Sequence, residues 1–346
     1  MRRLQHGFAS LTAEAACRAL RAAGLPLHPG DLSVERRDDR WAVKLPGDRI
    51  AWFPADEQGE RALAIERRVL RLLAERCTFA TPSLLWESPD GYDVRAIVPG
   101  RTDPWGLFAE ASKDPVLARR LGRTLGKILA EQHTRITRAD VAEWLPERVN
   151  WPESSAWIRD RIGDVTDDRS LIAAIDRTLN ICEHVAVDPA DRVLIHADLG
   201  LHNVVVDPAN NNVSGVFDYS GAAWADRHHD FRYLVFCWDE EHVLDAALEV
   251  YGASVARPLS LTRIWLYNAV CAFSFLAYRR GVPDEAKWCG RTLAEDLAWT
   301  RCALERFERF AATAPGTDPL TQTPASPRRR TGAASGAPRR NRGRRN

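Results

Sequence analysis

The most constraining stretch of this 346-residue chain is Val193–Tyr233, which reads VLIHADLGLHNVVVD, a polar turn, then VSGVFDYSGAAWADRHHDFRY. Its apolar runs, Val193–Ile195, Val204–Val206 and Val213–Phe217, are short, β-branched and bounded by Asn, Gly, Pro and Asp. Such runs predict strands, with the polar residues at the strand ends. His196, Asp198, His202 and Asn203 fall in the loop after the first strand; Asp218 closes the third, and His229 and Asp230 follow. The pattern brings an acid, an amide and a second acid to one edge of a small sheet. Oxygen donors of this kind suit a hard divalent cation held against phosphate.

Upstream, Leu11–Ala23 predicts a helix capped by Ser10 or Thr12 and stopped by Gly24. Leu32–Arg37, Trp41–Leu45 and Arg49–Phe53 predict three strands joined by turns at Asp38-Asp39 and Pro46-Gly47-Asp48. Glu60–Glu75 is a strong helix in which Glu66 shares the apolar stripe of Leu63, Leu70 and Leu73. A carboxylate placed there needs a cation from the neighbouring sheet. Lys44 is the only lysine in this part of the chain and is the candidate partner. Two further strands, Ser83–Trp86 and Tyr92–Val98, precede Pro99-Gly100. The rest predicts helices over 114–135, 154–162, 170–184, 231–238, 239–251, 259–278 and 284–312, interrupted only by the strand-rich centre.

At this length the chain suits two lobes. No stretch reaches the roughly 20 apolar residues that span a bilayer, and the Ala- and Leu-rich start does not read as a signal peptide. Seven scattered cysteines without a CxxC pair point to reduced core thiols and a cytoplasmic setting. The net charge of +1 hides an asymmetry, because Arg328–Asn346 holds eight arginines and no acid. The remaining body is acidic, a weak hint of a cationic substrate. The basic end hints weakly at polyanion contact such as nucleic acid. Residues 313–346 are rich in Pro, Thr, Ser, Gly and Arg and are expected to be disordered.

The central residues match the needs of phosphoryl transfer, in which one Asp orients the attacking hydroxyl while an Asn and a second Asp hold Mg²⁺ on the nucleotide. HADLGLHN, VFDYS and DRHHDF resemble the aminoglycoside phosphotransferase family, relatives of choline kinase and, more distantly, of protein kinases. The resemblance covers roughly residues 10–310. It implies an α+β, two-lobed protein-kinase-like fold: a small antiparallel-sheet lobe with one key helix, and a larger, mostly helical lobe. The implied organisation is an N-terminal helix in 1–29, a nucleotide-binding lobe in 30–98 and a helical lobe with catalytic loop and acceptor site in 99–312. Carried over residue by residue, Asp198 is the catalytic base, Asn203 and Asp218 are magnesium ligands, His196 is a structural member of the loop, and Asp230 braces it. Lys44, Glu66, Ala96 and Val98 are the residues implied at the nucleotide. ATP is the implied donor, with GTP as the other option, and the acceptor is a small hydroxyl-bearing molecule, plausibly cationic.

The chain departs from the family pattern twice. Trp52 stands on the third strand where the family carries a basic residue, and the first turn, Arg37-Asp38-Asp39-Arg40, contains no glycine to let backbone approach phosphate. Two rival readings follow. One is a pseudokinase-like nucleotide-binding module without catalysis; the other is a metal hydrolase built on His202, His228 and His229. Gly122-Arg-Thr-Leu-Gly126-Lys127 superficially resembles a phosphate loop, but it lies within a helical pattern and reads as a helix contact. Asp239, Glu240 and Glu241 read as helix-start acids, with an acceptor patch as their functional alternative.

Overall fold

Alternation along the N-terminal strands decides how this part of the molecule is layered. The computed structural model describes residues 8–234 and 241–313. Helix α1 (Ala13–Leu20), capped by the Thr12 side chain, is followed by β1 (Ser33–Arg37), β2 (Arg40–Leu45) and β3 (Arg49–Pro54). Helix α2 (Glu57–Arg76), with Asp56 as its cap, then leads to β4 (Ser83–Glu87) and β5 (Asp93–Ala96). The strands form one antiparallel sheet in the order β1-β2-β3-β5-β4. Val43, Leu45, Ala51, Phe53 and Val94 bury one face against Leu11, Ala16, Cys17 and Leu20 around α1. The opposite face carries Arg40, Trp52 and Arg95 toward α2, as the period of two requires.

The remaining helices are α3 (Pro104–Ala111), α4 (Pro115–Arg135), α5 (Arg138–Val141), α6 (Ser155–Ile162) and α7 (Arg169–Glu183). Next come β6 (Arg192–Ile195), β7 (Val204–Val206), β8 (Val213–Val216) and β9 (Ala223–Asp226), and then α8 (His242–Ser254), α9 (Leu261–Ala277) and α10 (Leu293–Thr313). Helices α4 and α9 supply much of a second, larger apolar core, which also takes in Val69, Leu70 and Leu73 of α2.

The central strands do not make the single small sheet expected. They form two ribbons, β6 with β9 and β7 with β8. Strand β9 was missed because Ala-Trp-Ala-Asp has little β-branched character, and only pairing with β6 extends it. The helix expected from Phe231 is also corrected. Residues 227–231 form a 3₁₀ turn capped by Asp226, and residues 235–240, including Cys237, Asp239 and Glu240, lie outside the described residues. Residues 284–292 are not helical: Trp288 and Arg291 close a turn in which Cys289 and Gly290 take left-handed φ values of 49° and 81°. The arginine-rich end also lies outside the described residues, among which no helix is long and apolar enough to cross a membrane.

Candidate active site

The loop between β6 and β7 is fixed from beneath by Asp230. This fully buried carboxylate accepts from the amides of His196 (3.0 Å) and Ala197 (2.8 Å) and from His133 Nε2 (3.0 Å). Burial alone would raise its pKa, but the hydrogen bond and charge of His133 and the His196 amide bring it below the usual range. Ala197 has a left-handed φ of 70°, costly for a residue with a Cβ. Asp230 on its amide and Arg232 Nη2 on its carbonyl hold it there. His196 Nε2 donates to the Phe217 carbonyl at 2.9 Å, and its Nδ1 accepts from the Asp198 amide at 3.2 Å. The ring thus ties the loop to the end of β8. Gln132 extends the support by donating to Leu194 and accepting from Tyr219.

Asp198 emerges from this frame with its side chain 42 % exposed. Asn203 Nδ2 donates to its carbonyl (2.9 Å) and to Oδ2 (3.0 Å), and His202 Nε2 lies 3.3 Å from Oδ2. Oδ1 has no protein partner among the described residues. Burial pushes the Asp198 pKa up; the His202 hydrogen bond and the charges of His202 and Arg232 outweigh it and leave the carboxyl below its ordinary value. Asp218 follows β8 with φ 64° and ψ 63°, a backbone region that Asp tolerates better than most residues. The β7–β8 pairing continues to Asn203 opposite Phe217, whose amide donates to its carbonyl at 3.1 Å, so the backbone brings Asn203 and Asp218 to the same end of the ribbon. Asn203 Oδ1 and one Asp218 oxygen have no protein partner among the described residues; Ser220 occupies the other Asp218 oxygen. Two free oxygen donors fit a hard cation such as Mg²⁺.

On α2, Glu66 is only 3 % exposed and is clasped by Arg40 Nη1 (3.0 Å) and Arg95 Nη1 (2.9 Å). Burial would raise its pKa; Arg95 first, then Arg40, lower it on balance. The expected partner, Lys44, is corrected. It stands on the same β2 face as Arg40 but four residues along, about 13 Å at strand rise, exposed beside the β2–β3 turn. It makes no ion pair among the described residues. The two arginines were overlooked because Arg40 sits at a predicted turn and Arg95 in a strand whose facing was unassigned. Ala96 is half-buried at the end of β5, and Val98 is buried against Gly215 of β8. The glycine-free turn packs on α2: the Asp39 carbonyl accepts from Ala55, and a Cβ on Gly59 would sit 1.9 Å from that oxygen.

The three histidines of the hydrolase reading do not converge. His202 meets Asp198, His228 is buried against Asp226 at 2.5 Å, and His229 stacks on Tyr267 at 3.8 Å. Among the described residues no group of three or more His, Cys, Asp or Glu side chains is placed to hold a metal.

No curated protein matches the chain. Solved structures do. The GDP complex of wild-type aminoglycoside 2'-phosphotransferase-IIIa is 18 % identical, with a TM-score of 0.58 over 87 % of this chain and 99 % of that one. Macrolide 2'-phosphotransferase MphH from Brachybacterium faecium is 21 % identical, with a TM-score of 0.57 over 84 % and 98 %. The streptomycin–ATP complex of APH(2")-IIa is 15 % identical, with a TM-score of 0.59 over 86 % and 99 %. These likenesses show the two-lobed, kinase-like α+β fold. The model of the phosphotransferase enzyme family matches residues 32–261, well over half of the chain, and the chain belongs to that family.

Proposed function

We propose that the protein transfers the γ-phosphoryl group of a nucleoside triphosphate, ATP in the first instance and GTP as the alternative donor, to a hydroxyl of a small molecule. The observation that carries this reading is Asp198, a half-exposed carboxylate with one free oxygen on a loop whose backbone is pinned by buried Asp230. Asp198 Oδ1 accepts the acceptor hydroxyl and aims it at the phosphorus. A carboxyl held below its ordinary pKa is a weak base, so it takes the proton late, once transfer has made the hydroxyl acidic. Asn203 and Asp218 would hold Mg²⁺, which neutralises charge on the nucleotide phosphates. Residues 30–98 are read as the nucleotide-binding part and 99–312 as the part that carries the acceptor.

A cationic acceptor is supported by the half-buried rings of Trp151 and Trp288 beside the exposed Tyr278, and by Glu153 at 2.5 Å from the Tyr278 hydroxyl. Ring faces and a carboxylate together favour amines. Fold neighbours are described with kanamycin, streptomycin and gentamicin.

The test is a screen with γ-labelled nucleotide and Mg²⁺ against aminoglycosides, macrolides, cyclic peptides and amino alcohols. On the acceptor it identifies, Asp198→Asn is expected to lower kcat about 10³-fold, within the usual range for a proton-handling group, with nucleotide affinity within about threefold. Wild-type turnover by that variant rejects the assignment. Nucleotide binding without transfer to any acceptor favours the pseudokinase-like module.

A further inference from the structure

In the family pattern the basic residue that meets nucleotide phosphates stands on the third strand, and here that place holds Trp52. We propose that Arg40, one strand earlier, is the cation that grips the donor's phosphates, with Glu66 and Asp39 as the carboxylates that aim it. This rests on the phosphotransfer reading above and names the residue that performs one part of it.

The two arginines on Glu66 differ in what they leave available. Arg95 spends Nε and Nη2 on Asp93 (2.7 and 3.1 Å) and Nη1 on Glu66, and only 2 % of it is exposed. All three of its nitrogens are committed inside the protein. Arg40 spends Nη1 on Glu66 and Nε on Asp39 (2.8 Å). Its Nη2 has no protein partner among the described residues and is not among the unpaired nitrogens sealed from solvent.

The surroundings point the same way. Among the charges that act on Arg40 is the Asp218 carboxylate, whereas those acting on Arg95 are Glu66 and Asp93. The Asp218 charge thus reaches Arg40, while Arg95 is closed in by Asp93 and Glu66. The Trp52 indole lies beside both guanidinium groups, 5.8 Å from Arg40 and 5.9 Å from Arg95. It fills the space a lysine stem on β3 would take and supports the planes of the two arginines. A guanidinium held at two nitrogens and open at the third is preorganised for an anionic oxygen. Lysine at the same position has its three donors on one nitrogen and lacks the rigid fork that holds two carboxylates on one side and leaves a separate nitrogen for phosphate.

Titration calorimetry on the full chain tests this with Mg·ATP or Mg·GTP, whichever the wild type binds more tightly, and with the matching nucleoside. Arg40→Met is expected to weaken the triphosphate at least tenfold and leave nucleoside affinity within twofold. Arg40→Lys, which keeps the charge and serves if the methionine variant does not fold, is expected to weaken the triphosphate by a smaller factor. Lys44→Met is expected to bind as the wild type does. Unchanged triphosphate affinity in both Arg40 variants overturns the proposal. Equal loss for triphosphate and nucleoside also overturns it, because that marks Arg40 as a support for the pocket alone. A wild type that binds neither nucleotide removes the phosphotransfer reading itself, and the proposal with it.

Discussion

Asp230 and Ala197 show how one buried charge holds a neighbouring carboxylate, Asp198, in place. The strained φ of Ala197 persists because its amide and its carbonyl are both engaged, and that strain turns the next residue, Asp198, out of the frame. Asp230→Asn places an amide group among donors, leaving at least one backbone N–H unpaired. The expected cost is about 3 kcal/mol, with a parallel fall in kcat. The native carboxyl has a depressed pKa, so its contribution is complete above the unfolded-state value of about 3.9 and disappears as pH falls through the lower folded value. The wild type's advantage over the variant, measured by urea unfolding, should be present at pH 7 and shrink between pH 4 and 3. An advantage that grows as pH falls over that range contradicts the account. Asp198, Asn203 and Asp218 were legible because their spacing is local. The side-chain donors to Asp230, His133 and Gln132, come from a helix some hundred positions away, and no local pattern announces them.

At the scale of elements, α4 and α8 cross at Gly122 and Gly126. A Cβ on Gly122 would lie 2.1 Å from the Val243 carbonyl oxygen, and one on Gly126 would lie 2.4 Å from that of Ala247. The stretch that superficially resembled a phosphate loop is therefore a helix contact, as its helical pattern indicated. On an exposed helix Gly→Ala gains about 1 kcal/mol. At Gly122 the added methyl meets backbone that cannot rotate away, and overpacking of this kind costs about 1–3 kcal/mol. Gly122→Ala is expected to lower stability by about 1–2 kcal/mol in denaturant melts, and a more stable variant would show that the helices separate freely. The presence of α4 was legible in the sequence from the spacing of Leu117, Leu121, Leu125 and Ile128. Its partner was not, because small residues mark a close approach without saying what approaches. Pairing across the chain likewise supplied β9, and turn closure at Trp288–Arg291 delayed α10, both beyond the reach of periodicity.

Across the whole molecule, the apolar interior divides into the core around α1 and the sheet and the larger helical core. Backbone bonds stitch the passage between them: Arg101 with Val206 at 2.8 and 2.9 Å, and Val216 with Ala80 at 3.0 Å. The lobe order was legible because each element follows its own local period, and the placing of Asp198 and Asp218 beside the central strands because these acids follow strand ends. The ion-pair partner of Glu66 was not, since a buried carboxylate states that a cation is required without choosing which strand supplies it. On the proposed reading, a nucleotide held by Arg40 of the sheet and by Asn203 and Asp218 of the β7–β8 ribbon would join both halves. A ligand at a hundred times its Kd stabilises the folded state by about 2.7 kcal/mol, equivalent to a rise in Tm of a few degrees for a chain of this size. Mg·ATP should produce that rise in the wild type, and ATP with a chelator a clearly smaller one. In Asp218→Ala the two shifts should coincide, because that variant lacks the carboxylate through which magnesium would add to binding. Equal shifts with and without magnesium in the wild type would remove the metal from the site and leave Asp218 as the cap of its own turn.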